Sequence, residues 1–216
     1  AGFSRVPVIS VSMSDSIRNH QPGFSLDYKS IAPIAFDAML FGDSLSKMYH
    51  SSAVRTDNPD KALELRDKHL QQAKQHILRK DRKALARQLS QAVQDFNSIL
   101  PKQHIERPKV GIVGEIFLKF HPYANQNIIN RLMQERIEVI PPQLTPFMTQ
   151  YFVNRRAKAD FDVEKSSIPN FIIDFLYRLV NKEIKRYNDI MSSFRYYTPF
   201  DDIFELAKHI KDIVPL

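Results

Sequence analysis

The sequence contains no cysteine, and this absence excludes disulfides, cysteine nucleophiles, thiolate zinc sites and cysteine-held iron–sulfur clusters from its 216 residues. Glycine is also scarce, with five residues, and Gly111 and Gly114 alone make neither a dinucleotide-binding fingerprint nor a P-loop. The seven histidines are dispersed, with no pair one helical turn apart around a carboxylate, and no G-x-S-x-G sequence is present. We therefore predict no catalytic residue, no metal site and no bound cofactor in this chain.

Long apolar runs are absent as well. No run reaches the roughly 18 to 20 residues that a membrane span requires, and Ala1–Ser10 lacks the basic and apolar regions of a signal peptide. We therefore expect a soluble, cytoplasmic protein without a membrane partner. The chain begins with Ala1 and ends with the apolar residues Ile213–Leu216, which leads us to expect a segment of a longer protein.

The chain is basic, with a net charge of +7 and a hydrophobic content of 43% that is sufficient for a core. Ten lysines and arginines against five acids lie between Arg55 and Arg87. Such a region can bind an anionic partner such as nucleic acid. Acids and bases alternate within it, however, which is more typical of a solvated helical face.

Three short apolar runs predict β-strands, at Val6–Met13, Lys109–Val113 and Glu138–Ile140. An apolar periodicity over residues 128–133 predicts a helix between the last two strands, which makes a βαβ unit. A unit of this length favours a parallel sheet joined in the right-handed sense. We therefore predict an α/β fold, a three-layer, Rossmann-like or flavodoxin-like parallel sheet with flanking helices, followed by an α-helical C-terminal portion.

Helical patterns cover most of the remaining chain. They predict helices over Leu26–Tyr49 and Pro169–Ser192, and a helical hairpin or bent helix over residues 60–100, which Asn58 and Pro59 would cap. Thr145-Pro146 and Thr198-Pro199 each indicate a further helix start. The predicted domains are an α/β domain at 1–142, with a helical insertion at about 58–100, and a helical portion at 143–216 that packs on it or belongs to the next domain.

Ligands of parallel sheets bind in the loops at the carboxyl ends of strands. The loop after the first strand offers four neutral hydrogen-bonding side chains, those of Ser12, Ser14, Ser16 and Asn19. The loop after Val113 offers four ligand-binding candidates, namely Gly114, Glu115, Lys119 and Asn125. The candidate sites are therefore these two loops.

Each candidate residue of the second loop could contribute to a ligand site in a different way. Gly114 would let a ligand approach the backbone, and Asn125 could cap the next helix, whose exposed amides could receive an anion. Glu115 and Lys119 could act as an acid and base pair, with His121 nearby. An ion pair that stabilises the loop is the favoured interpretation of Glu115 and Lys119, because a buried carboxylate needs a partner.

Aromatic residues cluster near position 196, where Phe194, Tyr196, Tyr197 and Phe200 flank Arg195. Such rings could stack on nucleic acid bases or on an adenine ring. Because the cluster precedes a predicted helix start, packing of that helix against the preceding one is the favoured interpretation.

The segments Arg107–Phe120 (RPKVGIVGEIFLKF) and Pro122–Asn125 (PYAN) resemble the large CoA-substrate-specific enzyme activases. These proteins are relatives of the activator and catalytic components of 2-hydroxyglutaryl-CoA dehydratase, a 2-hydroxyacyl-CoA dehydratase. VGIVGE is the most specific part of the similarity. Further similar segments are Pro7–Ser10, Pro22–Phe24, Phe41–Asp43 and Ala207–Ile210.

The resemblance implies a large parent protein with ATP-binding modules of the actin and Hsp70 type, a cysteine-held [4Fe-4S] cluster, and a region similar to the dehydratase subunits. Because this chain has neither cysteine nor a glycine-rich ATP signature, the cluster and the ATP site would lie elsewhere in the parent. The implied partners are the other domains of that protein, an acyl-CoA or a dehydratase subunit.

The leading hypothesis is a non-catalytic binding and scaffold segment of such an activase, involved in ATP-driven electron transfer to an acyl-CoA dehydratase. Two alternatives stay open. One is a basic nucleic-acid-binding module built on the helices between Arg55 and Arg87, for which binding should fall steeply with salt. The other is a purely structural domain, which should respond to no ligand.

Overall fold

The computed structural model describes residues 27–160 and 169–202, and within them it contains seven helices and two short strands. In chain order these are α1 (Tyr28–Ala53), α2 (Pro59–Leu78), α3 (Arg82–Ser98), β1 (Lys109–Gly111), α4 (Ile116–Phe120), α5 (Ile128–Gln134), β2 (Glu138–Ile140), α6 (Leu144–Asp160) and α7 (Asn170–Met191). Within the same ranges, no helix has both the length and the apolar character that crossing a membrane requires.

Helices α1, α2, α3 and α7 pack around a shared apolar core. Helix α1 supplies Phe41 and Met48, helix α3 supplies Leu89 and Phe96, and helix α7 supplies Tyr187, all at most 1% exposed. Their apolar stripes face one another, so each helix buries its stripe against other helices. Helix α1 also contacts α6 and β2, which makes it the centre of the described structure.

Local signals in the sequence explain where the first three helices begin and end. The side chains of Asp27, Asn58 and Asp81 each accept a hydrogen bond from an amide in the first turn of α1, α2 and α3, respectively. Pro59 occupies the first turn of α2, where it replaces an amide that would lack a partner. Lys80, with φ of 54°, reverses the chain between α2 and α3. The predicted helical hairpin is confirmed.

The two strands pair in parallel, with Lys109 opposite Glu138 and Gly111 opposite Ile140. The predicted parallel pair with a helix between its strands is confirmed, but the predicted three-layer α/β sheet is wrong. The described sheet has two strands of three residues each. Most of the described core lies between helices, because their apolar faces are larger than those of such short strands. The predicted strand Val6–Met13 lies outside the described residues.

The later helices follow the predictions in part. Helix α7 matches the predicted Pro169–Ser192 closely, whereas α6 begins at Leu144, just before the expected Thr145-Pro146 start. The amides at the start of α6 bond to Asp43, a residue of α1. The helix start expected at Thr198-Pro199 is wrong for the residues that the structure describes there, because residues 199–202 are not helical. The remainder of that predicted helix lies outside the described residues.

Candidate functional site

The loop after β1 folds into a small ordered unit around α4. Gly114 turns the chain away from the strand with φ of 138°, a value that side-chain-bearing residues rarely adopt. The Glu115 carboxylate then accepts hydrogen bonds from the amides of Phe117, at 2.7 Å, and Leu118, at 3.4 Å. The Asn125 amide group donates to the carbonyls of Leu118 and Lys119 at the other end of α4. Both ends of this short helix are therefore held by side chains of the same loop.

Two expectations for this loop are wrong in detail. Among the described residues, Glu115 makes no ion pair with Lys119, because its carboxylate caps α4 and Lys119 lies in the last turn of that helix. Asn125 does not cap the next helix, since Asn127 is the residue at the start of α5. Of the predicted candidates, Gly114, Glu115, Lys119 and Asn125 do lie together. Ser12, Ser14 and Asn19 lie outside the described residues.

Five large apolar side chains project into solvent from this loop. We call them the α4 surface, which consists of Val113, Phe117, Leu118, Phe120 and Tyr123. Their exposed fractions reach 91% at Val113, 77% at Phe117 and 90% at Tyr123. Single exposed apolar residues are ordinary on proteins, whereas a group of this kind is typical of an interaction surface.

A buried ion pair connects the bundle to the sheet. Arg55, just past the end of α1, donates from Nη2 to Oε2 of Glu138, the first residue of β2, over 2.6 Å. Its remaining nitrogens donate to the carbonyl of Ile105, at 2.9 Å, and to the carbonyl and hydroxyl of Ser51, at 2.8 and 3.0 Å. These bonds offset the desolvation of a guanidinium whose side chain is 2% exposed.

The same guanidinium faces the ring of Tyr196, with 4.0 Å from its central carbon to the ring centre. His104 stacks on Tyr196 at a centroid distance of 5.0 Å and an interplanar angle of 29°. The Tyr196 hydroxyl accepts a hydrogen bond from the amide of Ile105 at 2.8 Å. Phe194, Tyr196 and Phe200 are buried in the helical core. The predicted packing of a following helix against α7 is not confirmed, because residues 199–202 are not helical.

An open cleft of about 420 Å³ lies beside this stack. We call it the basic cleft. It lies between the segment that follows α3 and the segment that follows α7, and its basic lining consists of Arg55, Arg107, Lys109 and Arg195. Its other lining residues are the rings of His104, Tyr196 and Tyr197 and the acid Glu106.

A further group of buried polar side chains lies on the side of α1 that faces α6. Asp43 accepts hydrogen bonds from the amides of Leu144 at 3.1 Å and Thr145 at 2.8 Å, and burial raises the pKa of its carboxyl against the effect of these amides. One turn later, the Lys47 ammonium donates to the carbonyls of Thr198 and Pro199. Burial lowers the pKa of Lys47 to about 8, although Asp201 and Asp43 oppose the shift.

A third group of polar side chains joins α1, α3 and α7. The fully buried carboxylate of Asp37 accepts two hydrogen bonds from Arg82 and one from Arg186, at 2.8 to 3.0 Å. Glu183 lies 3.1 Å from Arg82 and 3.0 Å from Arg186. Two acids and two arginines therefore balance one another between the helices, which indicates a structural role.

The basic region between Arg55 and Arg87, which we call the basic window, is partly neutralised by neighbouring acids. Lys61 pairs with Glu64, Arg66 with Asp67, and Lys68 with Asp95, all at 3.0 Å or less. Arg55 and Arg82 belong to the ion pairs described above, so they do not extend a continuous basic face.

Sequence reasoning missed the Arg55–Glu138 pair and the basic cleft. Arg55 was only one member of the basic window, and Glu138 was only a strand residue. A signal was nevertheless present, because a carboxylate at the start of the apolar strand Glu138–Ile140 needs a buried partner. Its position in space next to Arg55 depends on how α1 and β2 pack.

Comparisons of the chain with models of known protein families, with curated proteins and with solved structures find no match. The resemblance to the activases consequently depends on the residues of Arg107–Asn125 and the shorter similar segments. Most of that main segment forms β1 and the α4 loop.

Proposed function

We propose that this chain is a non-catalytic binding and scaffold segment of a protein related to the 2-hydroxyacyl-CoA dehydratase activases. In this role the α4 surface docks onto another domain of that protein, or onto a dehydratase subunit, during ATP-driven electron transfer. The observation that carries the proposal is the exposure of five large apolar side chains on one ordered loop.

The apolar character of the α4 surface supports docking by a protein partner. Removing apolar area from water contributes about 25 cal/mol per Å², so covering rings as exposed as those of Phe117 and Tyr123 is a substantial source of affinity. Aromatic residues are also the side chains that most often dominate protein–protein interfaces.

The order of the loop supports the same role. Glu115 and Asn125 hold the two ends of α4 through hydrogen bonds within the loop. A surface that is ordered before binding loses less conformational entropy when a partner covers it. The α4 helix can therefore present Phe117 and Leu118 in a fixed arrangement.

The described sheet offers a further argument. Within the described residues the sheet consists of two parallel strands of three residues each, and parallel sheets are normally larger and covered on both faces. Val110 and Ile140 also remain well exposed on these strands. Packing against a further part of a larger protein would cover this region.

The choice of the activase class depends on the resemblance. The residues that resemble that family most closely, Val110–Glu115, form β1 and the turn that leads into the α4 surface. The region with the specific sequence is therefore also the region with the exposed apolar side chains.

Photo-crosslinking in the cell tests this proposal. The amino acid p-benzoylphenylalanine replaces Phe117 in the cell's own copy of the protein, and mass spectrometry identifies the crosslinked peptides. We expect peptides from another domain of the same polypeptide or from a partner whose sequence carries cysteines for an iron–sulfur cluster. The matched control replaces Leu78, which is 68% exposed at the end of α2.

A crosslink at position 117 that exceeds the one at position 78 and maps to such a partner supports the proposal. Equal crosslinking at both positions, no crosslink at position 117, or crosslinks to unrelated abundant proteins would overturn it. A variant that combines Phe117→Gln with Leu118→Gln provides a second measurement. It should lower ATP-dependent electron transfer to the dehydratase while the melting temperature changes by only about 2 °C, because both side chains are exposed.

A further inference from the structure

We propose that the basic cleft binds a nucleoside phosphate, with the base against the exposed ring of His104 and the phosphates against the cations of the cleft. This inference is independent of the docking role of the α4 surface, because it depends on different residues and a different ligand.

The volume and openness of the cleft suit a small molecule. Ligand pockets in proteins occupy roughly 300 to 1,000 Å³, and the basic cleft measures about 420 Å³. The cleft opens to solvent beside β1, so a mononucleotide can enter without rearrangement of the bundle.

The charge of the cleft favours an anion. Glu138 already neutralises Arg55. The Lys109 ammonium lies farther from the Glu138 carboxylate, at 3.8 Å, and its side chain is nearly half exposed. Arg107 uses Nε to donate to the carbonyl of Val54, and its two terminal nitrogens have no hydrogen-bond partner among the described residues. These forked donors match the geometry of a phosphate group.

Arg195 contributes a further cation on the opposite side of the cleft. One of its terminal nitrogens donates to the carbonyl of Pro101, and its other guanidinium nitrogens make no further hydrogen bond within the described chain. Together with Arg107 and Lys109 it outweighs the charge of Glu106. The cleft therefore retains a net positive charge after its internal pairs are counted.

The stack of rings provides a place for a base. His104 is exposed and lies on Tyr196, which in turn faces the buried guanidinium of Arg55. A flat base can extend this stack on the solvent side of His104. Stacking of one base on an aromatic side chain typically contributes about 1 to 3 kcal/mol.

Glu106 adds a group that distinguishes a nucleoside phosphate from a simple polyanion. A carboxylate repels phosphate but accepts hydrogen bonds from the hydroxyls of ribose. Its position among the cations of the cleft therefore favours a ligand that carries both sugar hydroxyls and phosphate.

The walls of the cleft are held in place before any ligand binds. The side chain of Asn97 donates to the carbonyl of Ser193 at 2.8 Å and accepts from the amide of Arg195 at 3.0 Å. The Tyr196 hydroxyl holds the amide of Ile105. These bonds connect the end of α3 and the segment after it to the segment after α7, so binding needs little additional ordering.

Isothermal titration calorimetry of the full chain tests the proposal with ADP, adenosine, inorganic pyrophosphate and a short single-stranded RNA. We expect one saturable ADP site that weakens as salt rises. Adenosine lacks the phosphates and pyrophosphate lacks the base, so each should bind at least about tenfold more weakly.

Two variants locate the site. Lys109→Gln should weaken ADP binding by about tenfold and His104→Ala by about fivefold or more, whereas the matched control Lys83→Gln, at an exposed lysine of α3, should leave it unchanged. Labelling of the unmodified chain with 8-azido-ADP gives a result that does not depend on the folding of variants. We expect the label in peptides that contain residues 101–109 or 193–197.

The proposal is overturned if ADP shows no saturable binding at millimolar concentration, or if pyrophosphate binds as tightly as ADP. Label that maps outside these peptides would also overturn the proposal. RNA that binds more tightly than ADP and loses affinity equally in Lys83→Gln and Lys109→Gln would indicate a general basic surface. None of these outcomes affects the crosslinking test of the α4 surface.

Discussion

The guanidinium of Arg55 lies 2.6 Å from the carboxylate of Glu138, although the two residues are 83 positions apart in the chain. Their side chains are 2% and 8% exposed. The pair joins the end of α1 to the start of β2, so it connects the helical bundle to the small sheet.

Glu138→Gln should strongly destabilise the protein. The amide retains the shape of the side chain but removes the charge that balances the buried guanidinium of Arg55. Loss of one partner of a buried ion pair typically costs about 3 to 5 kcal/mol. Urea unfolding measures this loss as a lower midpoint with an unchanged slope.

Glu64→Gln is the matched control for this substitution. Glu64 pairs with Lys61 on the surface of α2, where both side chains are more than half exposed, and such pairs contribute at most about 1 kcal/mol. Equal effects of the two substitutions would contradict a central role for the Arg55–Glu138 pair.

Asp43→Ala should loosen the start of α6. The substitution leaves the amides of Leu144 and Thr145 without their acceptor, and loss of a capping side chain costs about 0.5 to 2 kcal/mol. Hydrogen exchange of these two amides should accelerate, whereas Asp27→Ala at the exposed cap of α1 should leave them unchanged. Unchanged exchange in Asp43→Ala would show that another group holds α6.

Lys47 should make the free energy of unfolding rise with pH above about 8. The pKa of Lys47 is lowered from 10.5 to about 8 in the folded chain, so between these values the unfolded chain binds more protons than the folded chain. Stability therefore increases with pH across that window. Urea unfolding at pH 7.5, 8.5 and 9.5 should reveal this slope, and Lys47→Met should lack it. Identical slopes in the two proteins would refute the lowered pKa.

The same pKa can be measured directly. A ¹³C-labelled Lys47 side chain should titrate near pH 8 by nuclear magnetic resonance, well below an ordinary lysine at 10.5. The Lys47→Met spectrum identifies the signal by its absence.

Two glycine substitutions should have opposite effects. Gly42→Ala places a methyl group within α1, where nothing lies within 4 Å, and alanine stabilises a helix interior by about 0.5 to 1 kcal/mol over glycine. Gly114→Ala also meets open space, but its φ of 138° is unfavourable for alanine, and such strain costs about 1 to 3 kcal/mol. Thermal unfolding measures both. A stabilising Gly114→Ala would show that the loop adopts another conformation.

The helices could be predicted from sequence because their signals are local. Asn58 and Pro59 mark the start of α2, and the apolar spacing up to Met191 outlines α7. The partner of each apolar stripe could not be predicted in the same way. A stripe that contains Leu89 or Tyr187 would look the same whether it packed on a sheet or on other helices, and this ambiguity led to the wrong fold class.

The grouping of the second-loop candidates in one ordered unit could be predicted, but their hydrogen bonds could not, and ligand binding by this loop stays a prediction. Glu115 and Asn125 lie in one ordered loop, as expected, because they are close in sequence. Their actual partners are backbone groups of α4, which depend on a short helix that no periodicity indicated. The cap that Asp43 provides for Leu144 links positions 101 residues apart, and no local pattern reveals such a contact.

The central place of α1 affects how the protein forms during synthesis. Helices α1 to α3 end at Ser98, and α7 begins at Asn170, about 70 residues later. At a synthesis rate of about 5 to 20 residues per second, α7 follows on the order of 4 to 14 seconds later. During that interval, the faces of α1 and α3 that later cover Tyr187 are exposed to solvent at the ribosome. A chaperone that recognises apolar helix faces could bind them at this stage.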